Sequence, residues 1–436
     1  MKLFKNKFFT STIILILSGM STKVLGLIIR IIFTRIVGTK TISLYTIVMP
    51  TYSLLLTICS LAMPTTISKL IAQSKNIKVL RSAFIIIFAI NILMIFTMHL
   101  LAPFIANFLL HEKDSYYLLI AMSYTLPFAS LACVLKGYYY GIQKMVPHVV
   151  SNTIEQIIRI ILIITIMPHL IKISYVHAAV GLILTSFITE LASIIVFILF
   201  LHKDEIITIS KIKLDPKDAK NILHLSVPSV GSSIIANICY FLEPVLLTNI
   251  LLYKGYSSKY ILLNYGAYNA YAISTLTIPS FFINAICFAM IPEVSKYLEN
   301  KNYYKVKLRF IQSIIFALTI GISFISIIYL FRYQIIDFLY NTNEGVNFIK
   351  ILSPFFILFY FEAVFAAFMQ AIGKVKVTFR ITVLSSIVKL LFISILSFLK
   401  FGINALVIAE IINILMVVLL NTNYLNSYFR KLKKIA

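Results

Sequence analysis

Lys23 and Arg30 stand seven residues apart inside one long apolar stretch, and cations in that setting need a reason to be there. At 100° per residue, Gly19, Lys23, Gly26, Arg30 and Thr34 share one helical face, while Leu, Ile, Val and Phe fill the others. A cation at the bilayer centre costs about 2.5–3.5 kcal/mol on insertion scales. That cost is tolerated where the charge faces a water-filled cavity or a partner. The stripe therefore points to a positive, polar cavity inside a membrane bundle, and to an anionic cargo. A plainer reading stands beside it. Lys23 could snorkel to an interface and Arg30 could pair with a distant acid, with Gly19 and Gly26 only allowing close helix contact.

Other residues with chemistry to offer lie further along. Glu155 and Arg159 are four apart on a helix and can pair with each other. Glu190 is also intramembrane. Glu243 precedes Pro244, beside an expected bend; it is either the partner of Arg30 or a proton or sodium site. Glu362 and Glu410 are candidate partners for Lys389, and the sequence does not choose among these pairings. Asn269, Tyr271, Ser274, Thr275, Thr277 and Asn284 crowd one later span. They suit a hydroxyl-rich cargo or ordinary interhelical hydrogen bonds. Lys23, Arg30 and Asn284 are taken as the substrate-binding candidates. Pro50 and Pro279 are candidate hinges, since proline frees a carbonyl and permits a bend, although membrane helices also tolerate proline without one.

Several chemistries find no footing. Cys59, Cys133, Cys239 and Cys287 lie in separate apolar stretches, so neither a disulfide framework nor a metal site is expected. The 7 histidines are dispersed, and His99 reads as an interface residue. There is no Gly-rich phosphate loop and no nucleophile elbow. No cofactor is expected; coupling to Na+, H+ or the membrane potential is open.

These residues must be positioned by membrane helices. Of 436 residues 60% are hydrophobic and 12% charged, and mean hydropathy is +0.96; no soluble globular class has this composition. A span needs roughly 20 apolar residues. Twelve candidates are read: 8–36, 43–71, 80–110, 115–135, 149–171, 174–201, 221–252, 261–292, 308–331, 347–372, 378–399 and 402–427. The N-terminus resembles a signal peptide, but the apolar run continues past Lys23 and no small-residue cleavage site follows, so it is read as an uncleaved first helix. The formal charge of +24 comes from 39 Lys and Arg against 15 Asp and Glu. On a soluble protein this would suggest nucleic acid. Here 26 of the 39 fall in connections on one side, 9 on the other and 4 within helices, with Lys136 counted among the 26. That asymmetry places both termini in the cytoplasm of a multi-pass protein of the cell membrane, and removes the case for nucleic acid. With 25 Tyr and no Trp, interface anchoring falls largely to Tyr.

The chain also repeats. Ser68-Lys69 and Ser295-Lys296 lie 227 residues apart, as do Pro127-Phe128 and Pro354-Phe355. Pro50 and Pro64 of the second span answer to Pro279 and Pro292 of the eighth, and with a three-residue shift Arg159 falls opposite Lys389. The fold expected is all-α and integral to the membrane: twelve transmembrane helices in two parallel-repeat six-helix bundles, residues 1–205 and 206–436. Two such bundles enclose a cavity and can rock to open it to either side.

The run Gly19-Met-Ser-Thr-Lys-Val-Leu-Gly-Leu-Ile-Ile-Arg30, then Thr34-Arg-Ile-Val-Gly38, Leu44-Tyr45 and Met49-Pro50, resembles the opening of the polysaccharide-biosynthesis and stage V sporulation protein B group. Ile278-Pro279 and Ile291-Pro-Glu-Val-Ser-Lys296 resemble that group's C-terminal counterpart. The group belongs to the multidrug/oligosaccharidyl-lipid/polysaccharide exporter superfamily, with the lipid II flippases. The resemblance implies movement of lipid-linked saccharides for cell wall, spore cortex or surface polysaccharide. It also implies phosphate binding by the first-helix cations. Membrane lipids are the other expected partners, and a monomer is the expected working unit. Many members have fourteen helices, whereas this chain ends after twelve. The rival readings are a cation-coupled multidrug exporter of the same fold, which would want an acidic cavity; a membrane glycosyltransferase or polymerase, which would want a large outer loop with carboxylates; and a transport-inactive scaffold. The expectation is a transporter, not an enzyme.

Overall fold

The computed structural model describes the backbone of residues 7–74, 76–210 and 215–435; the side chains of residues 7–20, 23, 208–210, 232 and 432–435 lie outside that description. The described residues are helical almost throughout: α1 (Lys7–Ser60), α2 (Met63–Ser74), α3 (Val79–Phe104), α4 (Ser115–Gly141), α5 (Val146–Ile173), α6 (Tyr175–Leu199), α7 (Lys203–Ser210) and α8 (Pro216–Tyr253). Then follow α9 (Ser258–Gly266), α10 (Ser274–Leu276), α11 (Ser280–Glu299), α12 (Tyr303–Leu330), α13 (Arg332–Tyr340), α14 (Val346–Ala371), α15 (Val375–Phe398) and α16 (Asn404–Ile435). Among them eleven helices are long and apolar enough to cross a membrane, Val24–Ser74 being counted as one. The backbone folds within that stretch at Gly38 (φ 75°, ψ 174°). It therefore holds two spans, and the twelve expected helices are present. Only glycine occupies such a conformation without strain.

Three further irregularities shape the elements. Leu61 (φ 45°) and Ala62 (φ 48°) are left-handed and end α1; α2 then starts at Met63-Pro64, where the missing proline N–H costs nothing. The eighth span runs from α9 through a π-helical stretch, Ala267–Ile273, into α10 and breaks at Thr277-Ile278-Pro279 before α11. The break leaves the Leu276 carbonyl without its helical donor, and Tyr360 Oη donates to it at 2.6 Å. A second π turn, Ile105–Leu109, closes α3.

Two compact units result, Met1–Phe241 and Leu242–Ala436. The sequence reading placed the division at 205/206, in the longest connection. By packing, the division falls inside α8, because the first part of that helix is held by the N-terminal unit. Asp215 N–H donates to Ser82 Oγ (3.1 Å), Ser226 Oγ to Thr66 Oγ1 (3.3 Å) and Asn237 Nδ2 to Thr57 Oγ1 (3.0 Å).

In the N-terminal unit α4 packs tightly on α2. A Cβ at Gly137 would sit 2.9 Å from the Met63 carbonyl oxygen, and one at Gly141 would sit 2.7 Å from Ile71 Cβ. Small residues four apart are how membrane helices approach closely. In the C-terminal unit Gly345, at the start of α14, faces the Ala267 carbonyl of the π stretch, where a Cβ would come within 2.9 Å. Phe310, Phe368 and Phe429 join α12, α14 and α16 with ring centroids 4.6–5.7 Å apart.

Candidate functional site

The polar interior of the N-terminal unit is built from both arms of α1 and from α4, α5 and α6. Thr34 Oγ1 donates to the Arg30 carbonyl at 2.7 Å, the back-bond a threonine makes when its helix leaves it no better acceptor. Arg30 is half-buried, while Ile29, Phe33 and Val37 around it are buried. A Cβ at Gly26, on the same face, would meet nothing within 4 Å. Gly26 is thus not a close-packing glycine; it opens the face that carries Arg30. The charges of Arg30 and Arg159 both act on Tyr45, just beyond the fold at Gly38. The Lys23 side chain lies outside the described residues.

Arg159 pairs with Glu155 at 2.9 Å, as the four-residue spacing implies, and its Nη2 also donates to Thr189 Oγ1 on α6 at 3.1 Å. Lys136 belongs here too. The sequence reading ended the fourth span at 135 and counted Lys136 with the loop cations. It lies inside α4, and the charges of Glu190 and Glu155 act on it. The signal for this was available in Gly137 and Gly141, whose spacing marks a helix still packing closely after Lys136.

The C-terminal unit resolves the pairings left open. Lys389 Nζ on α15 lies 2.5 Å from Glu243 Oε2 on α8 and 2.6 Å from Glu410 Oε2 on α16. One ammonium holds two carboxylates and three helices, so the partner of Glu243 is Lys389. Glu362 on α14 stands apart from this group. It lines a cavity of about 420 Å³ together with Ser280, Asn284, Phe359, Tyr360 and Ala363. The cavity lies wholly between α11 and α14. Asn284 is thereby placed on a cavity wall, Pro279 caps α11 in the break beside it, and Pro50 sits buried within α1, eleven residues before the break at Leu61. Among the described residues no cluster of His, Cys, Asp and Glu has metal-binding geometry.

A model of the polysaccharide biosynthesis protein family matches residues 8–298, two thirds of the sequence. The chain belongs to the polysaccharide biosynthesis protein family. A MatE family model matches residues 266–395 as well. This family member is 29% identical to the stage V sporulation protein B of Bacillus subtilis over 88% of its own length and 77% of that protein's. It is 25% identical to the lipid II flippase MurJ of the same organism over 38% of its length and 34% of that protein's. Its fold is similar to that of a solved structure described as the inward-facing conformation of a multidrug resistance MATE family transporter of the MOP superfamily. The TM-score is 0.77 at 15% identity, covering 95% of this chain and 96% of that one. The family member is thus a multi-pass membrane protein whose fold resembles that of a MATE family transporter.

Proposed function

We propose that this polysaccharide biosynthesis family member is an alternating-access flippase. Its cargo is a polyprenyl-(pyro)phosphate-linked saccharide, used in cell-wall, spore-cortex or surface polysaccharide synthesis. The observation that carries the reading is Arg30. It is a half-buried guanidinium on a face that Gly26 leaves open, in a chain of a family named for polysaccharide biosynthesis. Lys23 and Arg30 neutralise the phosphates through charge-assisted hydrogen bonds, Asn284 contacts the saccharide, and the lipid tail stays in the bilayer. Pro50 and Pro279 are the hinges, and Glu243 serves as an ion pair. The protein resides in the cytoplasmic membrane with both termini inside and works as a monomer, without a cofactor.

Arg presents a planar fork of donors that Lys lacks, so Arg30→Lys already weakens a bidentate phosphate interaction. Removing one charge-assisted hydrogen bond costs about 1.5–3 kcal/mol, roughly tenfold or more in affinity. The test is equilibrium binding of farnesyl diphosphate to purified protein, with folded yield measured alongside. Lys23→Gln and Arg30→Gln should each weaken binding about tenfold. Unchanged binding in well-folded protein would remove the first-helix cations from the cargo site. The multidrug-exporter reading, which the MATE-like fold keeps in view, predicts instead that cationic dyes bind and farnesyl diphosphate does not.

A further inference from the structure

The cavity between α11 and α14 has a polar inventory that its own fold does not use. Among the described residues no hydrogen-bond or ion-pair partner is found for Glu362 or Asn284, and the buried Ser280 Oγ has none either. A buried hydroxyl without a partner is costly, and with the half-buried Asn284 and Glu362 beside it the Ser280 Oγ marks a place where something else bonds. Lys389, the cation of this region, is already held by Glu243 and Glu410. The Glu410 charge acts on Glu362 as well, so the surroundings of the cavity hold three carboxylates against one ammonium.

The remaining walls are aromatic and small. Phe359 is half-buried, its ring 4.8 Å from Phe356 and 6.0 Å from Tyr360, so that packing fixes its orientation. Tyr360 is anchored by its hydroxyl on the Leu276 carbonyl. Ala363 leaves room. At about 420 Å³ the cavity falls within the range of ligand pockets, about 300–1,000 Å³. A carboxylate that can accept two vicinal hydroxyls, an amide that both donates and accepts, a hydroxyl and a fixed ring face form a set that matches a pyranose. The ring's negative face receives polarised C–H groups of the sugar.

We infer that this cavity is a saccharide subsite in the C-terminal unit and that Glu362 makes it selective for neutral or amino sugars over acidic ones. Glu362 accepts sugar hydroxyls or an ammonium, Asn284 and Ser280 bond the ring substituents, and a uronic acid is rejected by like charge. The inference deepens the proposed flippase function, since it rests on a saccharide-bearing cargo, but it does not depend on the first-helix cations.

The experiment compares three probes at pH 8 on the full chain in nanodiscs: farnesyl diphosphate, its N-acetylglucosaminyl conjugate and its glucuronyl conjugate. The wild type should bind the neutral conjugate roughly tenfold or more tightly than the glucuronyl one, the usual effect of juxtaposed like charges. Glu362→Gln should bring the two within about threefold, mainly by improving the glucuronyl conjugate. Ala363→Phe, which fills the cavity, should abolish the gain the neutral sugar adds over farnesyl diphosphate, while farnesyl diphosphate alone binds as before. Equal binding of both conjugates by the wild type overturns the inference. So does a ratio that stays the same in both variants, the result expected if Glu362 serves only a proton or a metal cation. Failure of farnesyl diphosphate to bind, with sugar discrimination still set by Glu362, would overturn the phosphate role of Lys23 and Arg30 and leave the subsite standing. No binding of any probe to the wild type overturns both.

Discussion

A lysine between two glutamates is a demanding object inside a membrane. Lys389 Nζ reaches Glu243 and Glu410 at 2.5 and 2.6 Å, and the three side chains come from α15, α8 and α16. Removing one member of a buried ion pair leaves an uncompensated charge and costs about 3–5 kcal/mol, whereas replacing every member by apolar groups is often neutral or better. Lys389→Met should therefore lower the thermal midpoint of detergent-solubilised protein sharply. Glu243→Leu, Lys389→Met and Glu410→Leu together should recover most of it. The triple variant also measures function: if transport survives, the group is structural, and if transport is lost while the fold is kept, Glu243 takes part in coupling. The Glu155–Arg159 pair could be read from its four-residue spacing, because a helix brings i and i+4 together. The Lys389 group could not, because its partners lie 146 residues before it and 21 after it, and only packing decides which helices meet. The cavity at Asn284 and Glu362 was hidden for the same reason.

At the scale of elements, the breaks matter more than the helices. Twelve spans were visible in apolar run length alone, but hydropathy does not register a fold at one glycine or a left-handed pair. Gly38→Ala forces a Cβ into a conformation that only glycine adopts freely, at a cost of order 1–3 kcal/mol, although nothing crowds the position. Proteolysis or thermal unfolding should show that loss, and a stable alanine variant would mean that α1 can run straight through. Ala62 (φ 48°) is the mirror case, since Ala62→Gly relieves a strained residue and should stabilise by up to about 1 kcal/mol. The two proline candidates separate here as well. Pro279 stands in a break and Pro50 in continuous helix. If both permit bending, the Pro50→Ala and Pro279→Ala double variant slows transport with cargo affinity nearly intact; equal rates would discard the hinge role.

At the scale of the whole molecule, the multi-pass membrane class was legible in composition alone, while the orientation read from the charges is an expectation. With Lys136 moved into α4, 25 cations remain on the expected cytoplasmic side against 9, and the orientation argument is unaffected. Cysteines introduced at Lys259 and Lys217, both exposed, provide the check. A membrane-impermeant maleimide should label Lys259→Cys from outside and miss Lys217→Cys, and the opposite result inverts the topology. The repeat, for its part, is unequal where it breaks. At the 227-residue offset, Leu61-Ala62 corresponds to Phe288-Ala289, which lies inside α11; the turn of that half comes instead at Thr277 to Pro279, eleven residues earlier. Eleven residues are about 16 Å of helix. Amides interrupted by a turn trade their protons for deuterium first, so isotope uptake should begin at different points along the second and eighth spans.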